Sequence, residues 1–155
     1  MEQTGVVAAA GLGAVAGMRC FSAPAFLSLL GARKGAAPIE RTLSSKAGAR
    51  TLSVLALGEL VGDKLPGVPA RIEPPALASR ILSGGLVGAL VARRNRQPVL
   101  GLVLLGAATA VASSFAFYSL RRFATQRLHV PNVLAGLLED ALVVTAGNRL
   151  LASLK

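Results

Sequence analysis

Residues 51–66, TLSVLALGELVGDKLP, begin as an apolar run and then carry Glu59, Asp63 and Lys64 into what reads as one helix. Residues four apart share a helix face, so Glu59 and Asp63 point the same way and Lys64 sits on their flank. A soluble surface helix carries such charges at little cost. A helix in lipid does not, because each charge at the bilayer centre costs roughly 2.5–3.5 kcal/mol on insertion scales. Which solvent surrounds this stretch therefore decides what the chain can fold into.

Composition points to lipid. Of 155 residues, 53% are hydrophobic and 15% charged, against about 25% charged in ordinary soluble domains. The mean hydropathy is +0.60. Trp is absent and Gly occurs 17 times, which suits close helix packing in lipid. The net charge of +10 suits a nucleic-acid binder only if the basic residues form a stripe on a polar face. Here they cluster between apolar runs, as in the loops of membrane proteins, so no nucleic-acid partner is expected. A lone Cys20 excludes an internal disulfide, and the single His129 has no metal-ligand spacing around it. The start is not expected to be a signal peptide, since Glu2 is acidic and Arg19 interrupts the apolar run.

Five helical segments are expected. The first covers residues 4–32, long enough to cross a bilayer, which takes ~20 residues. Arg19 lies near its middle and Pro24 follows, so a kink or break is predicted across residues 17–24. Residues 33–50 read as a basic loop with Glu40 as its one acid, with room for a short interfacial helix. The second segment is residues 51–66, reaching back through Ala47 or crossing only part of the bilayer. The third runs over residues 74–92, opening on prolines and holding Arg80. The fourth starts at Pro98 and continues through Arg121 and Arg122 toward Leu128. The fifth opens at Pro131 and carries Glu139 and Asp140. If every segment spans, the basic stretches 33–50 and 93–96 share the cytoplasmic side. The N-terminus is then outside and the C-terminus inside.

Four of the seven acidic residues, Glu59, Asp63, Glu139 and Asp140, fall in apolar segments. Arg19, Lys64, Arg80 and Arg121 fall there too. One consequence is a charged intramembrane centre that binds an ion or small polar solute. The plainer one is a set of ion pairs pinning helices together, such as Arg19 with Glu59 or Arg80 with Asp63. Residues 17–21 (GMRCF) also resemble residues 119–123 (SLRRF), and each is followed by an acidic helix. Repeat halves 4–66 and 98–154, linked by helix 74–92, would run in opposite directions, an arrangement common in transporters. Gly13 with Gly17, Gly58 with Gly62, and Gly84 with Gly88 have the G-x-x-x-G spacing that lets helix backbones approach. No P-loop, dinucleotide motif or H-E-x-x-H is present, nor any nucleophile–base set, so no enzyme, cofactor or metal is expected.

The run Gly58-Glu59-Leu60-Val61-Gly62-Asp63-Lys64-Leu65-Pro66, with Pro69, Arg71 and Arg80-Ile81-Leu82-Ser83-Gly84-Gly85 after it, has a familiar form. So does Gly136-Leu137-Leu138-Glu139-Asp140-Ala141-Leu142-Val143-Val144. Together they resemble the small integral membrane proteins of the "domain of unknown function 4126" family. That family pairs an E-x-x-x-D-K-x-P segment with a later E-D-x-L-V-V segment and carries a basic residue after glycine in its first helix. Arg19 matches that residue one position late, and Arg121-Arg122 departs from the pattern. The resemblance implies a membrane protein and singles out these residues. It implies no substrate.

The expected fold is an all-α, polytopic membrane helix bundle forming a single domain over residues 1–155. The expected function is a small transporter or channel of the inner membrane, with lipid and an ion or polar solute as partners and a homo-oligomeric state. The alternative is a structural or lipid-interacting membrane protein.

Overall fold

The computed structural model describes residues 2–33, 35–62 and 72–154, and Asp63 and Lys64 of the expected centre lie outside them. The described residues form seven helices: α1 (Glu2–Met18), α2 (Ser22–Ser28), α3 (Pro38–Leu43), α4 (Lys46–Gly62), α5 (Pro74–Asn95), α6 (Val99–Arg127) and α7 (Asn132–Ser153). No strand occurs among them. Prolines set several starts. Pro38 and Pro74 occupy the first turn of α3 and α5, where a missing N–H costs nothing. Pro98 and Pro131 immediately precede α6 and α7. The α5–α6 corner is turned at Arg96, a non-glycine residue in the left-handed region at φ 53°. The acidic helix α4 does reach back beyond Thr51, to Lys46.

The break predicted near Pro24 falls at residues 19–21, between α1 and α2. Its consequence differs from the expectation. Gly5, early in α1, abuts the Gln97 side chain at the α5–α6 corner. Further along, Gly13 meets Gly106 and Gly17 meets Ala110, so α1 runs parallel to α6 and antiparallel to α5. After the break the chain turns back: Cys20 bonds Ser83 and Gly31 bonds Arg94, so α2 climbs beside α5 to the end where α1 began. The first segment is a helical hairpin, not a single span. Its length misled, because an entering helix and a returning one add up to the length of a crossing.

The remaining directions follow. α4 descends from the corner by α3 to the level of Cys20, where Glu59 meets the break. α7 ascends from Asn132, with Asp140 at Arg19, Gly147 against the Phe26 ring and Leu150 against Gly11. The start of α1, the α2–α4 connection, the α5–α6 corner and the end of α7 thus share one end. Arg33, Glu40, Arg93, Arg94 and Arg96 gather there, so the two basic stretches do share a side. The N-terminus, expected opposite the C-terminus, lies at the same end. The inverted repeat fails on the same geometry. It requires α1 and α6 to run oppositely, yet Ser113 and Ser114 of α6 bond Ala14 and Gly17 of α1 in parallel register.

α1, α5 and α6 pack most closely, around Leu12, Val15, Val87, Val91 and Ala110. A Cβ on Gly13 or Gly17 would strike the α6 backbone at Gly106 or Ala110, and one on Gly84 or Gly88 would strike it at Gly106 or Leu102. Gly106, outside the expected set, is the shared contact. Gly58 and Gly62 differ: a Cβ on either meets nothing within 4 Å among the described residues. Gly106→Ala is expected to destabilise the fold by about 1–3 kcal/mol, because both facing groups are backbone. Gly101→Ala on the same helix, with open space around it, is expected to be neutral or stabilising by up to about 1 kcal/mol. Thermal unfolding of the two variants in one detergent checks the opposite signs.

Two described helices, α5 and α6, are long and apolar enough to cross a membrane by length and composition. α6 is the more apolar and the less covered by the rest of the chain. Large apolar side chains point outward, with Leu100 72%, Leu138 70% and Val54 67% exposed.

Candidate functional site

The break between α1 and α2 is the site's frame. A helix end leaves backbone groups without intrahelical partners, and a buried one needs side chains to satisfy them. Three serines reach carbonyls here, those of Gly17 and Cys20 at the break and that of Ala14 one turn before it. Ser113 Oγ donates to Ala14 O at 2.8 Å, Ser114 Oγ to Gly17 O at 3.0 Å and Ser83 Oγ to Cys20 O at 2.5 Å. One carboxylate takes the amides: Cys20 N–H donates to Glu59 Oε1 at 2.7 Å and Phe21 N–H to Glu59 Oε2 at 2.9 Å. Glu59 on α4 is thereby tied to a turn 38 residues earlier in the chain.

The guanidinium of Arg19 goes elsewhere. It is 1% exposed and donates through Nε at 3.1 Å and Nη2 at 2.5 Å to Asp140 Oδ1 on α7. The Arg19–Glu59 pair expected from sequence is replaced by this one, because Glu59 is occupied by the two amides beside Arg19. Arg80 of α5 takes the place beside Glu59, with Nη2 3.9 Å from Oε1, and its Nη1 donates to Ala76 O at 3.1 Å. Arg80 with Asp63, the other expected pair, falls partly outside the described residues. Consecutive residues of a helix point about 100° apart, so Glu139 faces away from Asp140 and meets Arg121 Nη1 at 3.4 Å. Arg121 also ties down the start of α7, donating from Nε to Asn132 Oδ1 at 2.8 Å. All six described members of the expected centre thus sit in ion pairs. Arg80–Glu59 and Arg19–Asp140 meet at the break, while Arg121–Glu139 lies between α6 and α7.

A cavity of about 560 Å³ opens on the first group, lined by Cys20, Phe21, Val54, Leu55, Gly58, Glu59, Gly62, Ala76, Ser79 and Arg80. Gly58 and Gly62, expected to pack helices together, meet no described atom and leave room beside Glu59 among the described residues. A smaller crevice of about 190 Å³ touches Arg121 and Glu139. A carboxylate and a guanidinium on one apolar wall can hold a polar solute between opposite charges, or release and take up a proton at the carboxylate. Among the described residues no group of three metal-ligating side chains assembles.

Sequence reasoning missed a fourth ion pair, Arg94 Nε to Glu40 Oε1 at 3.0 Å, with both side chains buried. Its signal was present: Glu40 is the one acid in a basic stretch. The three serines also went unread, because serine in an apolar run gives no sign of the carbonyl it will reach.

These features define an all-α bundle with arginine–carboxylate pairs gathered at a helix break and two helices fit to cross a membrane. The chain belongs to the family described as a domain of unknown function (DUF4126), whose model matches residues 6–151. No curated protein and no solved structure matches it.

Proposed function

We propose that the chain is a multi-pass protein of the cell (inner) membrane, a small transporter or channel whose charged centre binds an ion or small polar solute. The observation that carries this is the cavity of about 560 Å³ at a broken helix, with Glu59 and Arg80 in its wall. Irregular backbone at membrane depth is tolerated where protein or a water-filled cavity satisfies it, and transporter sites are built from such broken helices. Lipid as the surrounding solvent is supported by the exposed apolar faces of α4, α6 and α7. The cluster of Arg33, Arg93, Arg94 and Arg96 supports a cytoplasmic basic end, which puts the start of α1 and the end of α7 inside. Arg80 lies six residues into α5, about 9 Å from its start, so the cavity belongs to the opposite half of the bilayer.

Flux tests it. Purified protein in proteoliposomes, with a pH-sensitive dye inside and single cations, anions or neutral polar solutes imposed as gradients, is expected to dissipate at least one gradient faster than protein-free vesicles. No flux of any species overturns the proposal.

A structural role is favoured for the other two pairs, Arg19–Asp140 and Arg121–Glu139, which join α1 to α7 and α6 to α7. If Glu59–Arg80 is of the same kind, the cavity is filled by lipid or a second copy and is dry. Gly58→Cys in a Cys20→Ser background separates the cases. Labelling by a charged, membrane-impermeant thiol reagent requires water at Gly58 and supports transport. Labelling only by an apolar maleimide leaves the pairs as helix pins.

A further inference from the structure

The basic end holds a second cavity, of about 630 Å³, and the charged centre does not use it. Arg33, Arg93, Arg94 and Arg96 line it, with Glu40 as the only acid among the described residues of its wall. We infer that it is a binding site for a phosphate-bearing anion. The inference does not rest on the transport proposal.

The cavity has a built floor beneath three exposed arginines. Arg94 is buried at its floor, held by Glu40 at 3.0 Å and by the Gly31 carbonyl. Arg33 is fixed in turn, its Nη1 donating to the Arg94 carbonyl at 2.5 Å. Arg96 reaches the wall from a left-handed backbone position at φ 53°, a conformation costly for a residue with a Cβ. Gly35, also in the wall, adopts φ 80° without that cost. Four guanidinium groups against one carboxylate leave three positive charges facing one space. Like charges gathered there repel each other, and an anion relieves this.

Arginine, with its planar fork of donors, suits phosphate oxygens. The volume exceeds what one phosphate fills and suits a phosphate ester. Two sources carry that chemistry: the headgroup of an anionic phospholipid, for which a basic pocket at the cytoplasmic surface is a recognised pattern, and a soluble phosphate ester.

The test uses the full chain in a non-ionic detergent and reads thermal unfolding. The probes are long-chain phosphatidylglycerol, its water-soluble glycerol phosphate headgroup, inorganic phosphate, and phosphatidylcholine as the zwitterionic control. A rise in Tm with phosphatidylglycerol alone supports a lipid headgroup, and a rise with glycerol phosphate or phosphate as well supports a soluble ester. Arg93→Gln with Arg96→Gln, both exposed and outside the Arg94–Glu40 pair, is expected to keep or slightly raise the unliganded Tm and weaken the apparent affinity about thirtyfold. Arg41→Gln with Arg50→Gln, exposed at the same end but outside the cavity, is expected to leave affinity within about twofold. No response to any phosphate-bearing probe overturns the site, and so does an equal response to phosphatidylcholine. Equal losses in the two double variants also overturn it, because a diffuse surface charge would then account for the binding.

Discussion

Replacing Asp140 with Asn is expected to destabilise the protein by about 3 kcal/mol, the lower end of what removing one partner of a buried ion pair costs. Arg19 is 1% exposed and directs two nitrogens at a single Asp140 oxygen. The neutral amide takes away the negative charge that those two buried nitrogens face. The lower end applies because Asn retains an acceptor oxygen and because the Asp140 side chain is 15% exposed, so some solvent screening survives. For a chain of this length the loss corresponds to a fall in Tm of roughly 6–12 °C. The double change Arg19→Met with Asp140→Leu should recover most of that loss, because apolar groups of similar volume often replace a buried pair without net cost. If Asp140→Asn unfolds at the wild-type temperature, the Arg19–Asp140 contact does not hold α7 to α1.

This pair also marks where sequence reasoning stopped. The residues were legible: a charged side chain inside an apolar run has to find a counter-charge, and Arg19, Glu59, Arg80, Arg121, Glu139 and Asp140 all do. The break was legible as well, from Pro24 and the polar interruption before it, and so were the helix starts at Pro74, Pro98 and Pro131. What periodicity and length could not convey is direction. Residues 4–32 have enough apolar length for one crossing, and the same count serves a helix that enters and returns. Once α2 turns back, α1 lies parallel to α6 and both termini share the basic end. Partner choice follows from path as well. Glu59 was an obvious partner for Arg19 until the chain's reversal presented two bare amides to it, and Asp140, 121 residues away, became the nearer anion. The G-x-x-x-G spacing shows the same limit. It reads alike at Gly13–Gly17 and at Gly58–Gly62, yet the first pair meets a neighbouring backbone and the second faces a cavity.

Glu59→Gln is the change with the largest expected effect on flux, because Glu59 supplies the carboxylate in the wall of the proposed conduit. A charge-assisted hydrogen bond is worth about 1.5–3 kcal/mol, so its loss at a binding step corresponds to a fall in flux of roughly tenfold to more than a hundredfold. The amide can still accept from one of Cys20 and Phe21, but its NH₂ faces the other N–H donor to donor. Some loss of stability is therefore expected on either account of the site, and reduced flux from this variant alone would be ambiguous. Gly58→Leu removes the ambiguity. No described atom lies within 4 Å of a Cβ there, and leucine is the better helix former, so the fold should hold while the side chain fills the space beside Glu59. Transport through this cavity requires both variants to lose flux, with Gly58→Leu retaining the wild-type Tm. If Gly58→Leu carries solute as fast as wild type while Glu59→Gln only melts earlier, the Glu59 carboxylate is a cap for the broken helix and Arg80 is its counter-charge.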